Sequence, residues 1–148
     1  METPSLEDAI AFAVETYRGH VPDKGGEPYL LHPLSVMLAV DTEEERRVAV
    51  LHDVVEDCGV SLSDLRAMGY PEIEVRALDA LTRRKPSESY EAFIDRLLPD
   101  PLARKVKLAD LAHNMDLRRL RYVGDADLER LDRYVRAWRK LRAADSLR

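Results

Sequence analysis

Residues 49–58 read AVLHDVVEDC, which sets His52, Asp53, Glu56 and Asp57 among Ala49, Val50, Leu51, Val54 and Val55. The stretch has the length and residue types of a buried helix. On a helix, residues three or four apart share a face. Glu56 follows His52 by four and Asp53 by three, and Asp57 follows Asp53 by four. The polar groups therefore line one edge, and Val50, Val54 and the Leu51/Val55 pair are free to face a core. A buried carboxylate without a partner is strongly unfavourable, so the cluster needs compensation. Caps and pairs with neighbouring helices would supply it. So would a divalent cation, for which His and Asp are ordinary ligands.

Two further pieces carry similar chemistry. In VKLADLAHNM (106–115), Lys107, Asp110, His113 and Asn114 recur at spacings of three and four, either as a site or as the solvated edge of an amphipathic helix. In LHP, His32 stands directly before Pro33, where a histidine can equally be a local hydrogen-bonding group. Brought together, His32, His52, Asp53 and Asp110 would make a site of two histidines and two carboxylates, with positions open for water and substrate. That donor set suits Mn²⁺, Fe²⁺ or Zn²⁺ better than Mg²⁺ or Ca²⁺. Glu56, one turn after His52, is placed to orient or deprotonate a water, and Asp57 to share the task. Lys24 and Lys107 are candidate phosphate contacts, or solvated charges. His113 is the weaker histidine candidate.

The elements that must position these residues are helical, because apolar periods of three and four dominate and period-two alternation is nearly absent. Ser5 caps a first helix with Leu6, Ile10, Ala13, Val14 and Tyr17 along one stripe. GHVPDKGGEP (19–28) is a loop. Pro33 opens a second helix that runs to about residue 40. Asp41 or Thr42 caps a third over 43–57, which Gly59 ends. Ser61 with Asp64 forms a capping box for a short helix that stops at Gly69. Pro71 opens the next, to about residue 81. Further helices are expected over 89–98, 102–120 and 128–141. The expected fold class is all-α, a single-domain bundle of seven or eight helices over residues 1–148, with a core at 6–120 and a basic last helix at about 125–142.

Composition narrows the function classes. The chain has 148 residues, 45% hydrophobic and 34% charged, in keeping with a soluble globular domain with its own core. No apolar run is long enough to span a membrane, and the acidic start METPSLEDAIAFAVE lacks a signal-peptide layout. One cysteine, Cys58, excludes an internal disulfide and fits a reducing, cytoplasmic setting. The net charge of −5 disfavours general nucleic-acid binding. From Arg118 onward there are ten Lys/Arg against five Asp/Glu, so the C-terminal end is net +5 and the rest net −10. This is either a solvated basic face or a patch for an anionic ligand. An apolar stripe through Leu128, Leu131, Val135 and Trp138 is expected to pack on its own domain. The oligomeric state is not legible.

The ordered set GEPYLLHPLSVM, VLHDVVEDC and VKLADLAHNMDL resembles the HD-domain hydrolases of the RelA/SpoT type, most of all the small hydrolase-only members. The resemblance runs from about Leu6 to Leu120 and leaves no room for the synthetase domain of the long members. It implies a compact α-helical bundle and one metal ion, usually Mn²⁺, on His32, His52, Asp53 and Asp110. The implied reaction is removal of the 3′-pyrophosphate of ppGpp or pppGpp, giving GDP or GTP. The family's Glu-Asp pair beside the metal falls on Glu56 and Asp57. Its guanosine-contacting loop falls on Asp23 and Lys24, and its asparagine near the nucleoside on Asn114. The chain departs from the family at Tyr17, Gly19 and His20, where a His and a Gly-Gln pair are common, and at Pro22, which reads as an insertion. Two other functions fit the same residues: an HD phosphohydrolase acting on another nucleotide such as NADPH, and a low-turnover nucleotide-binding regulator.

Overall fold

Capping chemistry sets where the helices start. In the computed structural model, which describes residues 1–146, Ser5, Thr42 and Ser61 each accept the N3 amide, and the N3 carboxylate of Asp8, Glu45 or Asp64 returns the bond. Asp100 caps the helix that Pro101 opens. The helices are α1 (Leu6–Tyr17), α2 (Leu31–Leu38), α3 (Glu43–Leu51), α4 (Val54–Cys58), α5 (Leu62–Ala67), α6 (Glu72–Ala80), α7 (Tyr90–Leu97), α8 (Pro101–Asn114) and α9 (Asp125–Ser146). A single 3₁₀ turn, Leu117–Arg119, lies between α8 and α9. The described residues contain no strand, and none of their helices is long and apolar enough to cross a membrane.

The apolar end of α3 is the centre of the core. Val48, Ala49, Val50 and Leu51 are all fully buried, and α1, α2, α6 and α8 pack around this helix. Burying these side chains contributes roughly 1.5–3 kcal/mol for each of the larger ones. Arg47 and Glu74 form a two-pronged buried pair at 2.8 and 2.9 Å that ties α3 to α6. Arg104 reaches Asp145 at 2.7 Å and so anchors the end of α9 to the start of α8.

Several boundaries differ from the sequence reading. The third helix is not continuous, for it breaks at His52–Asp53 into α3 and α4. The carbonyl of Ala49, which an uninterrupted helix would offer to the Asp53 amide, takes both the N–H of His52 (3.4 Å) and its ring Nδ1–H (2.6 Å). Gly59, at φ +69°, ends α4 in the left-handed conformation that a glycine adopts without strain. The second helix starts at Leu31, so His32 lies inside its first turn and not before it. The helix expected over 102–120 ends at Asn114. The last helix starts at Asp125, and its inward stripe runs through Leu131, Tyr134, Ala137, Trp138 and Leu141. Leu128 and Val135, expected in that stripe, are exposed. A 3.6-residue period admits either stripe until the neighbours of the helix are known.

Candidate metal centre

Four side chains from four segments meet inside the bundle. His32 comes from the first turn of α2, His52 from the end of α3, Asp53 from the break, and Asp110 from the middle of α8. His32 Nε2 lies 2.8 Å from Asp110 Oδ1, and His52 Nε2 lies 3.2 Å from the same oxygen. Asp53 Oδ2 is 3.1 Å from His52 Nε2 and 3.9 Å from His32 Nε2. Both histidines and Asp110 are buried. One ligand atom from each of His32, His52 and Asp53 lies within 4.8 Å of the others, as a shared ion requires. The electrostatics favour a cation at this point. Burial opposes charge on His52, yet the carboxylates of Asp53 and Asp110 outweigh it and hold the imidazole well above its ordinary pKa. Burial likewise opposes the Asp110 carboxylate, but the Lys107 ammonium and both imidazoles hold it well below the usual range.

Hydrogen bonds behind these groups fix their orientation. His52 donates Nδ1–H to Ala49, which makes Nε2 the nitrogen that faces the site. His32 Nδ1 stacks against and meets His113 Nδ1 at 2.7 Å. Burial, Arg119 and His32 press His113 down to about 4. A neutral His113 can therefore accept the Nδ1–H of His32 and free its Nε2. Tyr29 donates to Asp53 Oδ2 at 2.7 Å, and Asn114 donates to Asp110 Oδ1 at 3.1 Å. Sequence reasoning overlooked Tyr29, although it stands three residues before His32 in GEPYLLHP and so falls on the same side of the helix entry.

The remaining candidates occupy different places. Lys107 is buried, with its ammonium 2.8 Å from Asp110 Oδ2 and packed over the rings of Phe93 and Tyr90. Its ammonium balances the charge of Asp110. Glu56 turns from the histidines toward the α6–α7 loop, where its oxygens accept the Arg83 N–H (3.0 Å) and the Lys85 ammonium (3.2 Å). The Asp57 carboxyl is pushed up to about 6 by burial and by the charges of Asp53 and Glu56. A carboxyl at that value exchanges protons near neutrality. Lys24 and Asn114 line a cavity of about 350 Å³ beside Tyr29, together with Arg119, Arg130 and Tyr134. In that cavity Lys24 pairs with Asp127 at 3.1 Å, Arg130 pairs with the same Asp127, and Arg119 pairs with Asp23. Gly25 allows the loop to lie on the Arg119 carbonyl, where a Cβ would collide with backbone. Arg130 and Tyr134, four apart on α9, were hidden in a helix that reads as a solvated basic face.

No protein-family model matches the chain. A GTP pyrophosphokinase of Streptomyces coelicolor is 30% identical over 131 residues, covering 80% of this chain and 15% of its own. A guanosine-3′,5′-bis(diphosphate) 3′-pyrophosphohydrolase of Vibrio cholerae is 31% identical over 125 residues, covering 75% and 17%. Over most of its length the chain is similar to RelA/SpoT-type proteins. It spans only 15–17% of the length of these curated relatives. A solved structure of a metazoan SpoT orthologue, described as hydrolysing ppGpp, has the same fold: TM-score 0.74 at 24% identity, over 97% of this chain and 88% of that one. The all-α architecture expected from the sequence is thus shared with that solved structure.

Proposed function

We propose that the chain is a metal-dependent (p)ppGpp 3′-pyrophosphohydrolase, with His32, His52, Asp53 and Asp110 as ligands of one divalent ion. Mn²⁺ is the first choice, and Fe²⁺ and Zn²⁺ suit the same donors. The observation that carries the reading is the meeting of two imidazole Nε2 atoms and two carboxylates at one largely buried point. Homology to proteins named as acting on guanosine 3′,5′-bis(diphosphate) supports the substrate class.

A divalent ion in this place would supply Lewis acidity and lower the pKa of water. The residues do the rest. Asp57, poised near neutrality, takes a proton from the attacking water, with Glu56 beside it holding the Arg83–Lys85 loop against the site. The water oxygen bonds to the phosphorus attached to the ribose 3′ oxygen, the bond between that phosphorus and the 3′ oxygen breaks, and the 3′ oxygen leaves as a hydroxyl with the proton that Asp57 took, the water's other proton staying on the pyrophosphate. Products are pyrophosphate and GDP or GTP. Lys24, Asn114 and Tyr29 line the cavity that takes the nucleoside.

The test is pyrophosphate release from ppGpp by the purified protein, with Mn²⁺ and with chelator. Mn²⁺-dependent release of GDP and pyrophosphate is expected. Absence of release with the metal bound refutes this substrate and sends the search to NADPH and other nucleotides. A protein that binds ppGpp without cleaving it is a regulator.

A further inference from the structure

Tyr17 and His20, two of the positions at which the chain departs from the RelA/SpoT pattern, meet the single cysteine of the chain. Cys58 is the last residue of α4, directly after Asp57, and is half-buried. Its Sγ lies 3.7 Å from Nε2 of His20, an exposed residue of the loop after α1. The same Nε2 lies 3.3 Å from the Asp57 carbonyl oxygen, and the His20 ring stands edge-on to that of Tyr17 with centroids 5.3 Å apart. The imidazole is thus held against the sulfur from two sides. Tyr17 is 4% exposed, and its buried hydroxyl has no hydrogen-bond partner. The hydroxyl is directed at Cys58. An unsatisfied buried hydroxyl is costly, and a sulfur that becomes negative gives it an acceptor. Cys58 does not ionise unaided, because burial, Asp57 and Asp53 hold its thiol above the ordinary value. Reaction at the sulfur therefore needs a base, and His20 is the one in reach.

We propose that Cys58 is a modification site at the Asp57 edge of the metal centre, where it exchanges with small disulfides and His20 acts as its base. The thiol proton passes to Nε2 of His20, and the resulting Nε2–H is held by the Asp57 carbonyl. The sulfur, with the Tyr17 hydroxyl donating to it, bonds to one sulfur of the disulfide. The bond between the two disulfide sulfurs breaks, and the departing thiolate takes the proton from His20. The Cys58 thiol is oxidised and one half of the disulfide is reduced. Asp57 and Asp53 place negative charge around the sulfur, so cationic disulfides are favoured over anionic ones. The adduct lies against Asp57, and so it blocks turnover on the reading of the chain as a hydrolase.

The experiment follows mixed-disulfide formation by intact mass in chelator. Cystamine is the cationic probe and dithiodipropionate the anionic one, each rate being divided by that with free cysteine. One adduct per chain is expected, absent from Cys58→Ser, with cystamine preferred. His20→Asn is expected to slow the reaction ~10-fold at neutral pH and not in alkali, where the thiol ionises unaided. Tyr17→Phe, checked for an unchanged melting curve, slows it less. No adduct on Cys58, or a His20→Asn rate equal to wild type at neutral pH or slowed alike in alkali, overturns the proposal. A preference for dithiodipropionate overturns the charge class. Pyrophosphate release is expected to fall ~10-fold or more in the cystamine adduct and to return with reductant. Unchanged release from fully modified protein overturns the blocking of Asp57. If unmodified protein releases none, the hydrolase reading fails, while the adduct rates still decide the site.

Discussion

Replacing Lys107 with Met separates a charge-balancing role from a phosphate-binding one. Lys107 has 12% and Asp110 5% of its side chain exposed, and their charged atoms are 2.8 Å apart. Met keeps an unbranched stem between the Phe93 and Tyr90 rings, so little packing is lost. The ammonium alone disappears, and Asp110 Oδ2 is left buried without a counter-charge. Breaking a buried pair from one side costs about 3–5 kcal/mol. The low end applies because Oδ1 keeps His32, His52 and Asn114 as partners. For a domain of this size, about 3 kcal/mol lowers the melting temperature by roughly 6–12 °C. A divalent ion on Asp110 restores the missing positive charge, so the loss should shrink when Mn²⁺ is present. The assay is thermal and urea unfolding of wild type and Lys107→Met, in chelator and in Mn²⁺. A loss of equal size in both conditions refutes the charge-balance argument. Unchanged stability with a raised KM would show Lys107 to be a phosphate contact.

Asp53→Ala should lose metal and activity together, read by metal analysis of the dialysed protein and by pyrophosphate release. Glu56→Ala should retain metal but lose most of the rate, since the Arg83–Lys85 loop is then untied; wild-type turnover would show that the carboxylate has no part in the reaction. His113→Phe should weaken metal binding about 10-fold, as loss of a partner behind a ligand does, and His113→Gln less, whereas His32→Ala should abolish it; equal effects from His113→Phe and His32→Ala would mean that His113 is itself a ligand. In chelator, Asp57→Asn should stabilise the protein above pH 6 and have no effect below pH 4. The sign follows from the carboxyl being raised to about 6, above its unfolded value near 4, so that folding binds an extra proton between them and stability falls as pH rises through that window. Melting temperatures of both proteins across pH 4–8 decide it, and parallel curves would reject the assignment.

Local rules carried most of the fold. The capping boxes at Ser5, Thr42 and Ser61 lie where Ser/Thr precedes an acid by three, because that chemistry is complete within one turn. The convergence of His32, His52, Asp53 and Asp110 was legible because each is a metal-type donor in an otherwise apolar stretch. What stayed hidden depends on long-range neighbours. Lys107 reads as a surface cation until Phe93, Tyr90 and Asp110 are seen around it. Arg130 and Tyr134 became cavity residues only because α9 folds back over the loop at Asp23–Gly25. The exposure of Leu128 and Val135 reflects the angle at which α9 meets α7 and α8, which no period reveals.

The break between α3 and α4 shows how a helical bundle can use adjacent residues at one site. Successive residues of an α-helix point about 100° apart, at 3.6 residues per turn, so His52 and Asp53 diverge on a regular helix and a tighter turn between α3 and α4 bears on how closely they approach. A continuous helix, as the periodicity suggested, would instead put His52 and Glu56 together on one edge. The imidazole of His52 takes the Ala49 carbonyl, the chain tightens there while His52 and Asp53 keep αR dihedrals, and Asp53 Oδ2 lies 3.1 Å from His52 Nε2. Glu56, one turn on, accepts from Arg83 and Lys85. The bond that fixes the histidine tautomer is therefore also the bond that makes room for the aspartate, and the two consequences cannot be separated by substitution at His52. Substitution at Ala49 leaves the carbonyl in place, and so would alter packing while sparing the break.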